Sequence, residues 1–190
     1  MPQEQSSGAS GLAANTEALA FLTRAEAVTA AAAMERIFPD DDLGPGAIVA
    51  GTVYYLDRAL AGAELHLQDF YRAGLRRLDF VARGRFGAVF ARCTSEQQDE
   101  LIGALAADTV PEFDRSPTAL AFFESLRGHT IEGMFSDPVH GGNRDVVGWR
   151  LLGYLGPQPS YSHAEQQLDA KILRDRIFTA ADYPLPEGKP

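Results

Sequence analysis

The sequence predicts an all-α protein: a single-domain bundle of about five or six helices. Apolar residues recur at helical spacing through most of the chain, and Ser or Thr stands three positions before Glu or Gln at several predicted helix starts. Alternating apolar runs are short and are not paired by hairpin turns. With 190 residues, of which 45% are hydrophobic, the chain is long enough for one domain with its own core.

The first predicted helix follows a small, polar segment, residues 1–20, which we expect to be a disordered arm. Thr23 is the predicted N-cap, and Glu26 is in the reciprocal position of a capping box. Alanine-rich sequence continues the helix to Phe38, and Pro39 with the acidic turn after it ends the helix.

Two amphipathic helices are predicted next. The second helix opens at Pro45 and Gly46, closes at Gly62 and carries one apolar stripe. The third covers residues 64–82, with inward positions Leu67, Phe70, Tyr71, Leu75, Leu78 and Val81.

Two further helices have distinct start signals. Thr94 with Gln97 predicts a capped helix over residues 95–108. Ser116 followed by Pro117 predicts another, since proline is tolerated in the first helical turn.

The chain beyond the predicted helical domain, residues 21–157, forms a C-terminal extension, residues 158–190. Ser162 and Glu165 are a further cap pair, and they predict a helix over residues 163–178. The tail from Ala180 is proline-rich, and we expect it to be loosely held.

Charge and composition exclude several function classes. The chain has 17 basic and 26 acidic residues, a net charge of −9, which argues against nucleic acid or an anionic membrane as the main partner. Arginines between residues 72 and 85 are interspersed with acids and predict a solvated helix face. The single cysteine, Cys93, cannot form an internal disulfide. No apolar run reaches the ~20 residues that a membrane span requires.

Local motifs do not predict an enzyme. The chain lacks G-x-S-x-G, Walker and G-x-G-x-x-G patterns, so we predict no catalytic residue and no bound cofactor. His129 and Glu132 share one predicted helix, and His140 follows soon after. These residue types could ligate a metal, although their spacing matches no zinc motif. We predict no metal site and retain a metal-dependent helical enzyme using these three residues as an alternative.

A glycine-rich segment, residues 135–149, stands near the C-terminal third. Asp137-Pro138 favours a turn, and Gly141, Gly142 and Asn143 are residues that accept positive φ. Gly148 and Gly153 flank Trp149, and Arg144 with Asp145 could hold the turn. Such a turn is either structural or a partner-binding surface. The predicted site comprises Phe135, Asp137, Pro138, Gly141, Gly142, Asn143, Gly148 and Trp149, and further interface candidates are Val139, Leu152 and Tyr154.

These residues carry a resemblance to a known family. Residues 130–149 read T-x-E-G-x-F-x-D-P-x-x-G-G-N-x-x-x-x-G-W, and we call them the signature block. With LTRAEAVTAAAAMERIFPDDDLGPGA, YYLDRAL and DFYRAGLRRLD before it, the chain resembles the gluconate 2-dehydrogenase subunit 3 family from about Leu22 to Pro157.

The resemblance implies an accessory role. Members of this family pair with an FAD-containing flavoprotein of the glucose–methanol–choline oxidoreductase type, and a cytochrome c subunit often accepts the electrons. The small, or gamma, subunit is expected to bind no cofactor and to support folding, stability and export of the large one in a complex that oxidises a sugar, glycoside or sugar acid. A transient assembly or export chaperone is the alternative.

The resemblance also bears on location. Small subunits of this family commonly carry a twin-arginine export signal, and no twin arginine or hydrophobic region precedes Leu22. We expect a periplasmic protein, exported with its partner, if a signal has been removed from the chain, and a cytoplasmic one otherwise.

Overall fold

The computed structural model describes residues 17–172 and 175–183, and within them the protein is all-α, as the sequence predicts. These residues contain seven α-helices, several short 3₁₀ turns and no β-strand. The helices are α1 (Arg24–Ile37), α2 (Ala47–Ala50), α3 (Thr52–Ala61), α4 (Gln68–Phe86), α5 (Ser95–Ala106), α6 (Ala119–Phe135) and α7 (Val147–Leu152). None of the helices in the described part of the chain has the length and apolarity to cross a membrane.

Helix α1 lies at the centre of the bundle and contacts helices α2 to α6. Its alanines from Ala30 to Ala33 are all buried, and their small side chains allow neighbouring helices to approach on every side. The predicted capping box is present: the Glu26 N–H donates to the Thr23 hydroxyl at 3.3 Å, and the Thr23 N–H donates to the Glu26 carboxylate at 2.9 Å. The local prediction for α1 is therefore confirmed.

The segment before α1 is held by a buried carboxylate. Asp57 on α3 accepts hydrogen bonds from the backbone N–H groups of Ala20 at 2.6 Å, Phe21 at 3.0 Å and Leu22 at 2.7 Å. These contacts include the end of the predicted arm; residues 1–16 of that arm lie outside the described residues.

The single helix predicted between Gly46 and Gly62 is wrong, because the chain breaks at Gly51. Gly51 has a left-handed backbone with φ of 70°, which separates α2 from α3. A Cβ at Gly51 would lie 2.6 Å from Nε of Arg144, so the break also makes room for a side chain from a distant part of the chain.

The third, fourth and fifth predicted helices form with shifted ends. In α4, the predicted inward residues Tyr71, Leu75, Leu78 and Val81 are buried, and Leu67 and Phe70 are half-buried. The Thr94–Gln97 capping box of α5 is present. The start predicted for α6 at Ser116-Pro117 is wrong, because Thr118 is the N-cap and its hydroxyl accepts from the Ala121 N–H.

The C-terminal part departs most from prediction. Helix α7 was not predicted. Where a helix was expected over residues 163–178, residues 163–169 form turns and residues 170–172 and 175–178 are not helical; residues 173 and 174 lie outside the described residues. The Ser162–Glu165 cap pair nevertheless forms, since the Ser162 N–H donates to the Glu165 carboxylate at 2.8 Å and the Glu165 N–H donates to the Ser162 hydroxyl at 3.3 Å. Of the proline-rich tail, residues 184–190 lie outside the described residues.

Candidate functional site

The signature block forms the end of α6, the loop that follows it, and the start of α7. Every helix leaves its last four carbonyl groups without intrahelical partners, and a buried helix end must satisfy them otherwise. In α6, the Gly133 carbonyl accepts from the Asn143 N–H at 2.7 Å, and the Phe135 carbonyl accepts from the Trp149 indole N–H at 2.7 Å. The block therefore folds back to cap the helix that begins it.

Asn143 is the centre of this cap. The residue is fully buried, and its side-chain amide donates to the Ser136 carbonyl at 2.8 Å and accepts from the Gly148 N–H at 2.9 Å. Its own carbonyl accepts from the Val146 N–H at 2.9 Å. Its φ of 46° lies in the left-handed region, which asparagine adopts more readily than most residues. One side chain thus joins the end of α6 to the start of α7.

Two glycines of the block are explained by close backbone contact. A Cβ on Gly142 would overlap the Gly133 carbonyl, and a Cβ on Gly148 would overlap the Met134 carbonyl. Of the residues that accept positive φ, Gly141 with φ of 104° and Asn143 adopt it, and Gly142 does not. The spacing of Gly142 and Gly148 therefore reflects two places where the loop touches α6.

The loop also contains unusual backbone at residues other than glycine. Asp145 and Val146 both have φ of 52°. A β-branched residue such as Val146 is disfavoured there, at a cost of roughly 1–3 kcal/mol. The hydrogen bonds of Asn143 on either side of this turn hold the chain in that conformation.

Trp149 is an interior residue. Its side chain is 4% exposed, and its ring meets Tyr154 edge-on with centroids 5.0 Å apart. Phe135, the other aromatic candidate, is half-buried and packs edge-on against Phe38 at 5.7 Å. Both rings support the loop from inside, and neither is an exposed anchor for a partner.

Charged side chains connect the block to the N-terminal segment. Arg144 pairs with Glu17 and lies over the Tyr54 ring, with 4.0 Å between the guanidinium carbon and the ring centroid. Arg58 on α3 pairs with the same carboxylate at 2.8 Å and donates to the Val139 carbonyl at 3.1 Å. Sequence analysis found Arg144 but missed Glu17 and Arg58, because nothing local indicates contacts between such distant positions.

Asp137 links the block to the C-terminal extension. One carboxylate oxygen accepts from the Val139 N–H at 3.0 Å, and this fixes the turn that Pro138 begins. The other oxygen accepts from the Ala180 N–H at 2.7 Å. Phe178, two residues before Ala180, makes a second contact, because a Cβ on Gly156 would overlap the Phe178 carbonyl. The extension therefore returns to the helical domain at two points.

The alternative metal-binding residues are not brought together. His129 is buried, and its Nδ1 lies 2.7 Å from the Tyr71 hydroxyl and 2.9 Å from the Ser125 carbonyl. Glu132 accepts from the Tyr55 hydroxyl at 3.0 Å, and His140 lies in an exposed turn of the loop. Within residues 17–172 and 175–183, no three His, Cys, Asp or Glu side chains are arranged to hold a metal ion.

The two tyrosines near His129 are kept neutral. Burial, followed by the hydrogen bond to Glu132, raises the pKa of Tyr55 to about 12. Burial also raises the pKa of Tyr71 well above its ordinary value of 10.0. At physiological pH both hydroxyls therefore act as hydrogen-bonding groups between helices.

Exposed apolar side chains lie on the segments that the block positions. Val139 in the turn is 53% exposed, and Leu152 and Tyr154 at the end of α7 are 64% and 45% exposed. A Cβ on Gly44 would overlap the Leu151 side chain, so the loop that carries Leu43 packs against α7; Leu43 itself is 86% exposed. Leu43 was missed by sequence analysis, because an isolated leucine in an acidic turn has no periodic pattern.

Comparison with known proteins gives one match. The family model for gluconate 2-dehydrogenase subunit 3 matches residues 24–156, which include all seven helices and the whole signature block. No curated protein matches the chain, and no solved structure matches it.

Proposed function

The chain belongs to the gluconate 2-dehydrogenase subunit 3 family, and we propose that it is the non-catalytic small subunit of an FAD-dependent dehydrogenase complex acting on a sugar, glycoside or sugar acid. In this proposal, a large flavoprotein of the glucose–methanol–choline oxidoreductase type binds FAD and carries out the oxidation. A cytochrome c subunit takes the electrons onward. The small subunit binds the flavoprotein, stabilises it and assists its maturation or export.

The observation that supports an accessory role is that side chains of the signature block bond to the protein itself. Its two central polar side chains bond the protein's own backbone: the Asn143 amide bonds Ser136 and Gly148, and the Trp149 indole bonds Phe135. A catalytic loop would instead direct such groups toward a reacting molecule. The most specific part of the sequence thus builds a rigid scaffold.

The scaffold presents apolar side chains that suit a protein partner. Leu152 ends α7, Tyr154 follows this helix, and Leu43 lies on the loop packed against it; all three side chains are exposed. Aromatic and apolar side chains of this kind form the centres of protein interfaces. Binding only the folded flavoprotein stabilises it by mass action, by about 2.7 kcal/mol when the small subunit is present at 100 times its dissociation constant.

Co-expression with the flavoprotein tests the proposal. Size-exclusion chromatography with flavin absorbance followed across the peak should show a stoichiometric yellow complex, and the flavoprotein expressed alone should be insoluble or inactive. A flavoprotein that needs the small subunit for folding but separates from it afterwards would identify the transient chaperone. A flavoprotein that is active alone and never co-elutes would reject both roles.

A matched pair of variants tests the surface. We expect Leu152→Glu to weaken the complex by about tenfold or more, because a charge would be buried in the interface. Leu120→Glu is the control, since Leu120 is also exposed, at 41%, but lies at the start of α6. Equal affinities for the two variants would exclude the α7 surface as the interface.

A further inference from the structure

We propose that the outward face of α4 is a second contact surface, formed by Arg76, Phe80 and Arg83, and that it binds a carboxylate-rich face of the catalytic large subunit. The identity of the partner rests on the proposed function. The surface itself rests on three independent features of α4: an exposed ring, two available arginines and a glycine beside the ring.

The exposed ring is Phe80. Positions 76, 80 and 83 are separated by four and three residues, so they occupy one face of the helix. Phe80 is 65% exposed, whereas Phe70 and Phe86 of the same helix pack against the core. The helix thus packs two of its three phenylalanines against the core and directs the third to solvent between two arginines.

The charge on this face is opposite to that of the whole protein. The chain carries a net charge of −9, but α4 contains five arginines and two aspartates. Of the aspartates, Asp79 is directed inward, where it accepts from the Phe90 N–H at 3.0 Å and the Thr29 hydroxyl at 3.2 Å. The basic charge of α4 is therefore only partly neutralised by the helix itself.

The arginines divide into those used by the fold and those left for a partner. Arg72 lies over the Phe21 ring at 4.4 Å, and Arg77 donates to the Arg115 and Pro117 carbonyls. Arg76 makes no ion pair with any described residue, and Arg83 has only a 3.9 Å contact to Asp79. The two arginines that flank Phe80 are thus available for carboxylates, which arginine binds in a bidentate geometry.

Gly84 is the third feature. It follows Phe80 by four residues and therefore lies beside it on the helix surface. A Cβ at Gly84 would meet no atom within 4 Å, so no contact inside the chain requires glycine there, although glycine weakens a helix relative to alanine. The missing side chain leaves one side of the Phe80 ring open to a partner.

A carboxylate-rich protein surface fits these features better than a polyanion does. A nucleic acid or anionic membrane would be repelled by the remaining acidic surface of the protein. A single exposed ring between two arginines has instead the composition of an interface hot spot. A second copy of this chain is the other carboxylate-rich candidate, because Asp41 and Asp42 are exposed.

The test measures binding of the full-length chain to the purified catalytic subunit at low and high salt. We expect Arg76→Glu/Arg83→Glu to weaken binding by about a hundredfold at low salt and less at high salt, since screening weakens ion pairs. Phe80→Ala and Gly84→Ala should each weaken it by about tenfold. Arg127→Glu, at an exposed arginine of α6 that pairs with Glu124 on its own helix, is the control for a single charge reversal. It should bind like wild type, whereas Arg76→Glu alone should bind more weakly.

Gly84→Ala separates binding from folding. We expect this variant to melt at a higher temperature than wild type while binding the partner less tightly, a combination that damage to the fold would not produce. Gly103→Ala is its control, since a Cβ there also meets no atom within 4 Å, and this variant should be stabilised with unchanged binding.

The outcomes show whether the proposed α4 surface fails alone or together with the proposed function. If wild type forms the complex and all the α4 variants bind as tightly, the surface is wrong and the accessory role stands. If wild type does not bind the catalytic subunit, both proposals fail. If wild type is a dimer in solution and Arg76→Glu/Arg83→Glu is a monomer with unchanged affinity for the catalytic subunit, the surface binds a second copy and the partner named here is wrong.

Discussion

Two regions of this protein are rich in glycine, proline and polar residues, and their structures differ. In the signature block, the Asn143 side chain and the Trp149 indole reach residues 5 to 14 positions away and cap the end of α6. In the C-terminal extension, the side-chain hydrogen bonds of residues 158–167 reach acceptors two to seven positions away in the same segment, as between Ser162 and Glu165. The difference between the regions is whether the polar groups have a buried helix end to satisfy.

Capping boxes show the same contrast. Thr23–Glu26 begins a 14-residue helix, and Ser162–Glu165 forms the same reciprocal bonds but leads only to turns. After Thr23, a run of buried alanines packs among five other helices, whereas Leu168 in the extension is 100% exposed. A cap lowers the cost of starting a helix, but burial of an apolar face decides whether the helix persists.

Gly148→Ala should have the largest effect on stability among the substitutions that test this difference between the two regions. The added Cβ would overlap the Met134 carbonyl, so the loop must leave the end of α6, and we expect a loss of about 3 kcal/mol or more in unfolding free energy. Thermal and denaturant unfolding measure this loss. Gly153→Ala, at a glycine whose Cβ would meet no atom within 4 Å but whose φ is 64°, controls for backbone strain alone and should lose less. Equal losses would show that contact with α6 is not the reason for Gly148.

Asn143→Ala is expected to have the next largest effect. It leaves the buried Gly148 N–H and the Ser136 carbonyl without their partner, and each such group costs about 1–3 kcal/mol. Asn143→Asp should be at least as unstable as Asn143→Ala near neutral pH, because it buries a charge at a fully buried position and sets a carboxylate oxygen against the Ser136 carbonyl. An aspartate variant as stable as wild type would contradict the donor role of the Asn143 amide.

The smallest losses of unfolding free energy are expected from removing the two N-cap hydroxyls, those of Thr23 and Ser162. Thr23→Ala should cost about 1 kcal/mol, because α1 is central and its N-cap is lost. Ser162→Ala should change the unfolding free energy by less than about 0.5 kcal/mol, because the turn it caps contributes nothing to the core. Melting curves of the two variants under identical conditions provide the comparison, and a larger loss for Ser162→Ala would show that the extension stabilises the fold.

Local patterns were sufficient to predict the main helices. The apolar stripe of α4 identified Tyr71, Leu75 and Leu78 as buried, and the caps of α1 and α5 were placed at the observed residues. These features depend on residues within one or two helical turns of each other, which a single sequence displays.

Contacts between distant residues could not be predicted. A Cβ on Gly51 would meet the side chain of Arg144, and a Cβ on Gly142 or Gly148 would overlap the backbone of α6. The signature block was therefore identified by its resemblance to a family, and its mechanical role became evident from the structure. The helix expected after Ser162 was wrong because the sequence does not show whether an apolar stripe has a surface to pack against.

Hydrogen–deuterium exchange of the small subunit, alone and in complex with the flavoprotein, tests the central claim most directly. The claim is that the signature block is a preformed scaffold whose exposed neighbours bind the partner. We predict that the amides of Asn143 and Gly148 exchange as slowly in the free chain as those of α6, and that complex formation protects residues 150–156 and the Arg76–Gly84 face of α4 but leaves Asn143 and Gly148 unchanged. Fast exchange at Asn143 and Gly148 in the free chain, with protection only in the complex, would contradict a preformed scaffold.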